Sequence, residues 1–221
     1  FKPEFKVELF AESVSLLGVM LSIENDAEFI DSATKAYNRR AFMNEIIRLL
    51  RTGHRYAVIS VGLTNMRFYQ RMLSYNSTND VLTMISDWLA SIHPQVRVYR
   101  VMPDSFAIIY LYERETDMDM LVDTIAEQFT SGWVFDDVHL ELNTVIHAAL
   151  VPQEFADPDL ILELTEQTHS IEHSGVVVMK GKDLESITRR TLIEHALRRA
   201  LDEDEFKVYY QPIWNADTKR I

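Results

Sequence analysis

The chain has 221 residues, 47% hydrophobic and 25% charged, with 34 acidic side chains against 22 basic ones and a net charge of −12. That suits one substantial globular domain with flanking pieces, or two small ones, and so acidic a chain repels phosphate backbones, which argues against a nucleic-acid partner. Cysteine is absent, which excludes disulfides, thiolate catalysis and zinc–thiolate sites and fits a reducing cytoplasm.

The chain opens on Phe1, and Lys2, Glu4, Lys6 and Glu8 break up its start, so it does not read as a signal peptide. The longest apolar run, around Val14 to Ile23, is too short to span a bilayer. The expectation is a cytoplasmic fragment of a longer protein, with membrane attachment of the whole left open. Leu9, Val14, Leu17, Met20 and Leu21 lie near one helical stripe, read either as a helix packed on the next domain or as a signalling helix that pairs with a second copy.

After Asp31 to Arg40 comes an amphipathic helix carrying Phe42, Ile46, Leu49 and Leu50. Tyr56 to Val61 is an apolar, β-branched run suited to a buried central strand. An irregular stretch follows, then a helix marked by Val81, Ile85, Trp88, Leu89 and Ile92. Val96 to Tyr112 reads as two strands joined at Met102-Pro103-Asp104-Ser105, where proline pre-sets φ for the second position of a type I turn. Further elements are a helix from Met118 to Phe129, a long strand from His139 to Val151, a helix from Leu160 to Ile171 and a strand from Gly175 to Met179. Alternating strands and helices with a direct hairpin predict an α/β (α+β) fold with a mixed sheet flanked by helices. The polar segment from Lys180 to Thr188 reads as a linker. Beyond it come a helix with Leu192, Ala196, Leu197, Ala200 and Leu201, an acidic stop at Asp202 to Glu205, and a strand from Phe206 to Ile213.

Several spacings together resemble one family. Asp31, Thr34, Asn38, Arg39 and Arg40 resemble the entry motif of GGDEF domains, the diguanylate cyclases that join two GTP molecules into cyclic di-GMP. The turn Met102, Pro103, Asp104, Ser105 and Phe106 falls on the family's signature loop, with Arg100 matching two positions earlier. Leu201, Tyr209, Tyr210, Gln211, Pro212 and Ile213 are similar to the opening of an EAL domain, a cyclic di-GMP phosphodiesterase. The resemblance implies a nucleotidyl-cyclase-like, ferredoxin-like fold with a five-stranded, mainly antiparallel sheet. It divides the chain into an N-terminal signalling helix over 1–28, a GGDEF-like domain over 29–182, and a linker with an incomplete EAL start over 183–221.

The resemblance also locates what the site has lost. Joining the 3′-hydroxyl of one GTP to the α-phosphate of another needs divalent ions held by carboxylates and a base or polariser near the hydroxyl. The family's strand-end aspartate matches Gly62, which offers no ligand, and the second acid of the loop matches Ser105, leaving Asp104 alone. Met102 and Pro103 replace two glycines whose bare backbone admits the nucleotide. The base-binding asparagine matches Gln70, a later aspartate matches Asn79, and a phosphate-contacting lysine matches Arg67. The lysine that helps it matches His173, and the feedback-inhibition pair matches His93 and Val96.

The expectation is a non-catalytic regulatory or dimerising GGDEF module controlling a following EAL phosphodiesterase, without a resident metal or cofactor. Two alternatives stay open. One is a sensor of GTP or cyclic di-GMP using Arg67, Gln70, Asn79 and Asp104; the other is a weakly active cyclase using GTP and Mg²⁺. The implied partners are a second copy in the full-length protein, its own EAL domain with Gln211 as a dinucleotide contact, and GTP or cyclic di-GMP. His169 and His173 flank Glu172 at a spacing zinc sites use, but with no third ligand nearby a solvated helix face is the plainer reading. Glu113, Glu115, Asp117, Asp119 and Asp123 lack calcium-loop spacing and read as a solvated surface, while Phe42 and Trp88 read as core.

Overall fold

The computed structural model describes residues 28–167 and 173–209. The expected N-terminal helix, the end of the Leu160 helix, His169, Glu172, and Tyr210 to Ile213, including Gln211, lie outside the described residues.

The two-residue strand β1 (Tyr37–Asn38) leads into α1 (Arg39–Thr52), then β2 (Tyr56–Leu63), α2 (Met66–Met72) and α3 (Tyr75–Ser91). The hairpin β3 (Val96–Met102) and β4 (Ser105–Tyr110) precedes α4 (Glu115–Ser131), a small hairpin β5 (Trp133–Phe135) and β6 (Val138–Leu140), and β7 (Thr144–Val151). Then come α5 (Pro158–Glu166), β8 (Val176–Lys180), a 3₁₀ turn (Gly181–Leu184) and α6 (Glu185–Asp202).

The main sheet runs β1-β3-β4-β2-β7-β8. Its three inner pairings are antiparallel and its two outer ones parallel. Five longer strands thus form the mainly antiparallel sheet, with β1 a two-residue addition at the edge. Strand β2 is buried along its whole length, as its unbroken apolar run requires of a central strand. Its odd-numbered residues Ala57, Ile59, Val61 and Leu63 pack under α3 and α4. Tyr56 and Val58 pack under α1 and α5, against Phe42, Ile46, Ile161 and Leu164. Each fully buried Ile or Leu contributes about 1.5–3 kcal/mol, so both faces of the sheet carry the fold.

Local chemistry sets the helix limits. The Asn38 side chain accepts from the Ala41 N–H at 3.1 Å to start α1, and Gly53 at φ 68° closes it in the left-handed region. Ser74 caps α3 by accepting from Ser77 N, and Asp157 with Pro158 opens α5.

Three expectations need correction. The long strand from His139 to Val151 is interrupted: Val138–Leu140 pairs only with β5, and β7 begins at Thr144. The break has a cause seventy residues upstream. The Tyr69 hydroxyl accepts from Glu141 N at 2.9 Å and donates to its carbonyl at 3.0 Å, while Asn65 bonds Glu141 O and Asn143 N. Those side chains take the backbone groups that a continuous strand would offer its neighbour. Second, the polar segment expected as a linker instead forms a 3₁₀ turn and the start of α6, anchored by Leu184, which is buried with Ile161 and Leu164. Third, residues 206–209 form no strand among the described residues, and Phe206, Val208 and Tyr209 are exposed. No described strand lies alongside to take their backbone hydrogen bonds.

Candidate functional site

Strand register brings the signature turn against the end of β2. Gly62 and Ser105 are direct partners across β2 and β4, and Leu63 N donates to the Asp104 carbonyl at 2.9 Å. Neither Pro103 nor Asp104 has positive φ, so the turn is not of the primed type that usually closes two-residue hairpins. The mismatch in twist is taken up by a bulge in β3 between Arg100 and Met102.

Arg100 braces this turn from beneath. Its guanidinium donates to the Asp31 carboxylate at 2.9 Å and to the Pro103 carbonyl at 2.6 Å. Asp31 also accepts from the backbone N–H and the hydroxyl of Thr34, both at 2.8 Å. Partial burial pushes the Asp31 carboxyl up, but the bonds from Thr34 and Arg100 together outweigh it and hold the group below the usual carboxylate range. The entry motif therefore braces the loop. The other two basic residues of that motif are also engaged, Arg39 with Glu166 at the end of α5 and Arg40 with Glu28.

Beside the turn lies an open cavity of about 660 Å³. Gln70 from α2, Tyr75 and Asn79 from α3, Asn38, and Met102 with Pro103 all contribute to its wall. The register-matched Gln70 and Asn79 are thus brought together, although they stand on different helices. Arg67, exposed on α2, and Asp104, half-buried on the turn, are not among its lining residues. Tyr75 and Thr78, which also line the cavity, carry no distinguishing signal in the sequence.

The donor set does not fit a pair of divalent cations. Gly62 has no side chain. Ser105 is fully buried, and its hydroxyl donates to the Thr165 carbonyl at 3.3 Å, toward α5. Only Asp104 supplies a carboxylate at the turn, whereas hard cations take several charged or neutral oxygens. Among the described residues no three His, Asp or Glu side chains assemble as a metal site. What remains is an amide-rich, partly aromatic wall able to donate and accept hydrogen bonds.

The other residues singled out have ordinary surroundings. His173 Nε2 lies 3.1 Å from the Thr144 carbonyl. His93 packs edge-on against Tyr110 at 5.2 Å, and Val96 is buried at the start of β3. The acids of α4 are partly neutralised: Glu115 meets Arg55 at 2.9 Å, Asp117 meets Arg114 at 3.3 Å and Asp119 meets Lys180 at 2.6 Å. Phe42 is core, and Trp88 packs perpendicular to Trp133 at 5.4 Å. No helix among the described residues is long and apolar enough to cross a membrane.

Comparison with known proteins gives the architecture its class. The fold is that of GGDEF diguanylate cyclase domains. The coiled coil and GGDEF domain of DgcB from Caulobacter crescentus, solved with cyclic di-GMP, aligns with a TM-score of 0.63 at 14% identity, covering 80% of this chain and 98% of that one. The GGDEF domain of TpbB (YfiN) from Pseudomonas aeruginosa aligns at 0.59 and 18%, covering 73% and 99%. The GGDEF domain of FimX from the same organism aligns at 0.59 and 11%, covering 68% and 99%. In sequence, the chain is 21% identical over 192 residues to the cyclic di-GMP phosphodiesterase NbdA of Pseudomonas aeruginosa. That match covers 83% of this chain but 24% of NbdA, so the chain spans about a quarter of its relative's length. No family model matches the chain.

Proposed function

We propose that this chain is a non-catalytic GGDEF domain of a cyclic di-GMP signalling protein, serving to regulate and dimerise a following EAL phosphodiesterase. The observation that carries the reading is the pairing of Gly62 with Ser105: the two positions that would flank a metal pair hold no carboxylate. The relationship to NbdA, itself a phosphodiesterase, supports the context. The reading is tested by incubating the protein with GTP and Mg²⁺ or Mn²⁺. The expected result is no cyclic di-GMP above a blank, and accumulation of the product overturns the reading in favour of a weak cyclase.

A second reading, nucleotide sensing, is favoured by the cavity of about 660 Å³ beside the turn. Gln70 and Asn79 would hydrogen-bond a base edge there, Arg67 would approach a phosphate from the adjoining helix, and Asp104 would act at the turn. A ligand bound only by the native state raises the unfolding midpoint, so GTP and cyclic di-GMP are each titrated against thermal stability. A rise supports sensing; an unmoved midpoint at saturating concentrations leaves the scaffold role alone.

A further inference from the structure

At the end of the β3–β4 hairpin away from the signature turn lies a second cavity, of about 530 Å³. Val96 pairs with Tyr110 there, and Val96 to Met102 spans about 20 Å at about 3.3 Å per residue, so this cavity is separate from the one beside the turn. Ile92 and His93 reach it from just beyond α3, and Tyr110 from the end of β4. Glu113 reaches it from the loop after β4, and Asp117 and Leu121 from α4.

Tyr110 is only 5% exposed and belongs to the core with Val96, Val98 and Leu121, yet its hydroxyl has no hydrogen-bond partner among the described residues. A sheltered hydroxyl is costly to leave unpaired. Burial first, and then the negative charges of Asp117 and Glu113, push the Tyr110 phenol up, with Arg114 opposing. The group is therefore a neutral O–H in a negative field. Asp117 is already engaged, by the Arg114 N–H at 2.9 Å and its guanidinium at 3.3 Å. Glu113 is exposed and has no ion pair among the described residues. No Lys or Arg stands in the last turn of α3, so the negative end of its dipole is left uncompensated at the edge of the cavity. The positive end of α4 is offset by its own Glu115 and Asp117.

We propose that this cavity binds an aliphatic amine, with the ammonium on Glu113 and the Tyr110 hydroxyl and the methylene chain along Ile92, Met120 and Leu121. The Tyr110 oxygen accepts from the ammonium, and Glu113 supplies the counter-charge. A bare metal ion fits less well, because two acids, one already engaged, offer too few oxygens. An anionic dinucleotide also fits less well. The family's feedback-inhibition pair matches His93 and Val96, but here the first packs against Tyr110, the second is buried, and the acids of the cavity repel phosphate. Amine binding here is independent of whether the signature turn is catalytic.

The probe is spermidine, titrated into the full chain in about 0.15 M KCl, which screens diffuse surface attraction, and followed by ¹H–¹⁵N NMR. The expected result is one-site saturation below about 1 mM, with shifts confined to amides around Tyr110, Glu113 and Leu121. Glu113→Gln weakens binding about fivefold or more by removing the counter-charge, and Tyr110→Phe, which keeps the ring, about threefold. His93→Arg sets a fixed positive charge in the cavity and weakens binding about tenfold. Glu127→Gln, which changes an exposed acid of α4 outside the cavity, leaves it unaltered. An absence of shifts overturns the proposal, as do shifts that never saturate, that spread evenly over the exposed acids, or that an equal charge of Mg²⁺ abolishes. So does binding indifferent to Glu113→Gln, or displacement of the amine by cyclic di-GMP.

Discussion

Arg100 and Asp31, sixty-nine positions apart, form a part-buried ion pair at 2.9 Å whose other guanidinium nitrogen holds the Pro103 carbonyl. Their side chains are 12% and 23% exposed, too sheltered for water to replace either partner freely. Asp31→Asn and Arg100→Leu are each expected to cost about 1–3 kcal/mol in urea unfolding, with a coupling of about 1 kcal/mol in the double-mutant cycle. Purely additive losses would show that the contact does not brace the turn. Because the Asp31 carboxyl is held below its usual value in the fold, its contribution is present above the unfolded pKa near 3.9 and disappears as the pH falls through the folded value.

This brace was only half legible in the sequence. Asp31 and Arg100 stand out through resemblance to one family, but that they touch follows from β1 lying beside β3 in parallel. The central strand and signature hairpin are legible because unbroken apolar runs and a proline turn admit few alternatives. The hairpin of Trp133 to Leu140 escapes notice because its turn puts Asp136 and Asp137, not glycine or asparagine, at φ 46° and 62°. At the candidate site, Gly62, Gln70 and Asn79 are singled out by the register of the family resemblance. The inward direction of Ser105 depends on the Thr165 carbonyl, sixty residues on, which no local pattern encodes.

Placing carboxylates at the two paired positions, Gly62 and Ser105, tests whether those positions decide metal binding. Ser105 is fully buried, so Ser105→Glu alone buries a carboxylate and is expected to cost about 3 kcal/mol or more. Adding Gly62→Asp opposite it sets two like charges side by side and lowers stability further in chelator. Mn²⁺ should then raise the melting temperature of the double variant and leave the parent unmoved. A parent that responds to Mn²⁺ as strongly would mean that it already holds the cation.

Gly132 sits at φ 82°, ψ −179°, a region nearly restricted to glycine. A Cβ there would lie 2.6 Å from His139 Cε1 and 3.3 Å from the Leu140 carbonyl, where β6 passes. Gly132→Ala is expected to lose about 2–4 kcal/mol, combining backbone strain with displacement of the hairpin. Gly53 is also left-handed but has open space around it, so Gly53→Ala should cost about 1 kcal/mol. Equal losses in chemical denaturation would contradict the steric part of this account.

His147 is the one fully buried histidine among the described residues. It pairs across the sheet with Ser60 on β2 and Met179 on β8, and its Nδ1 donates to the Leu164 carbonyl of α5 at 2.9 Å. Its Nε2 has no partner, and neither does the buried Ser60 hydroxyl facing the same layer. Burial lowers the ring's pKa below its ordinary value, opposed in part by the bond to Leu164. The unfolded chain therefore binds a proton near pH 6.5 that the folded chain declines. Stability is fully present above that pH and falls as the pH drops toward the folded value, by up to about 1.4 kcal/mol per pH unit. His147→Gln should flatten this slope between pH 7 and 5. An NMR titration that finds the His147 ring charged above pH 6.5 would reverse the sign, and with it the argument that α5 closes over a neutral imidazole.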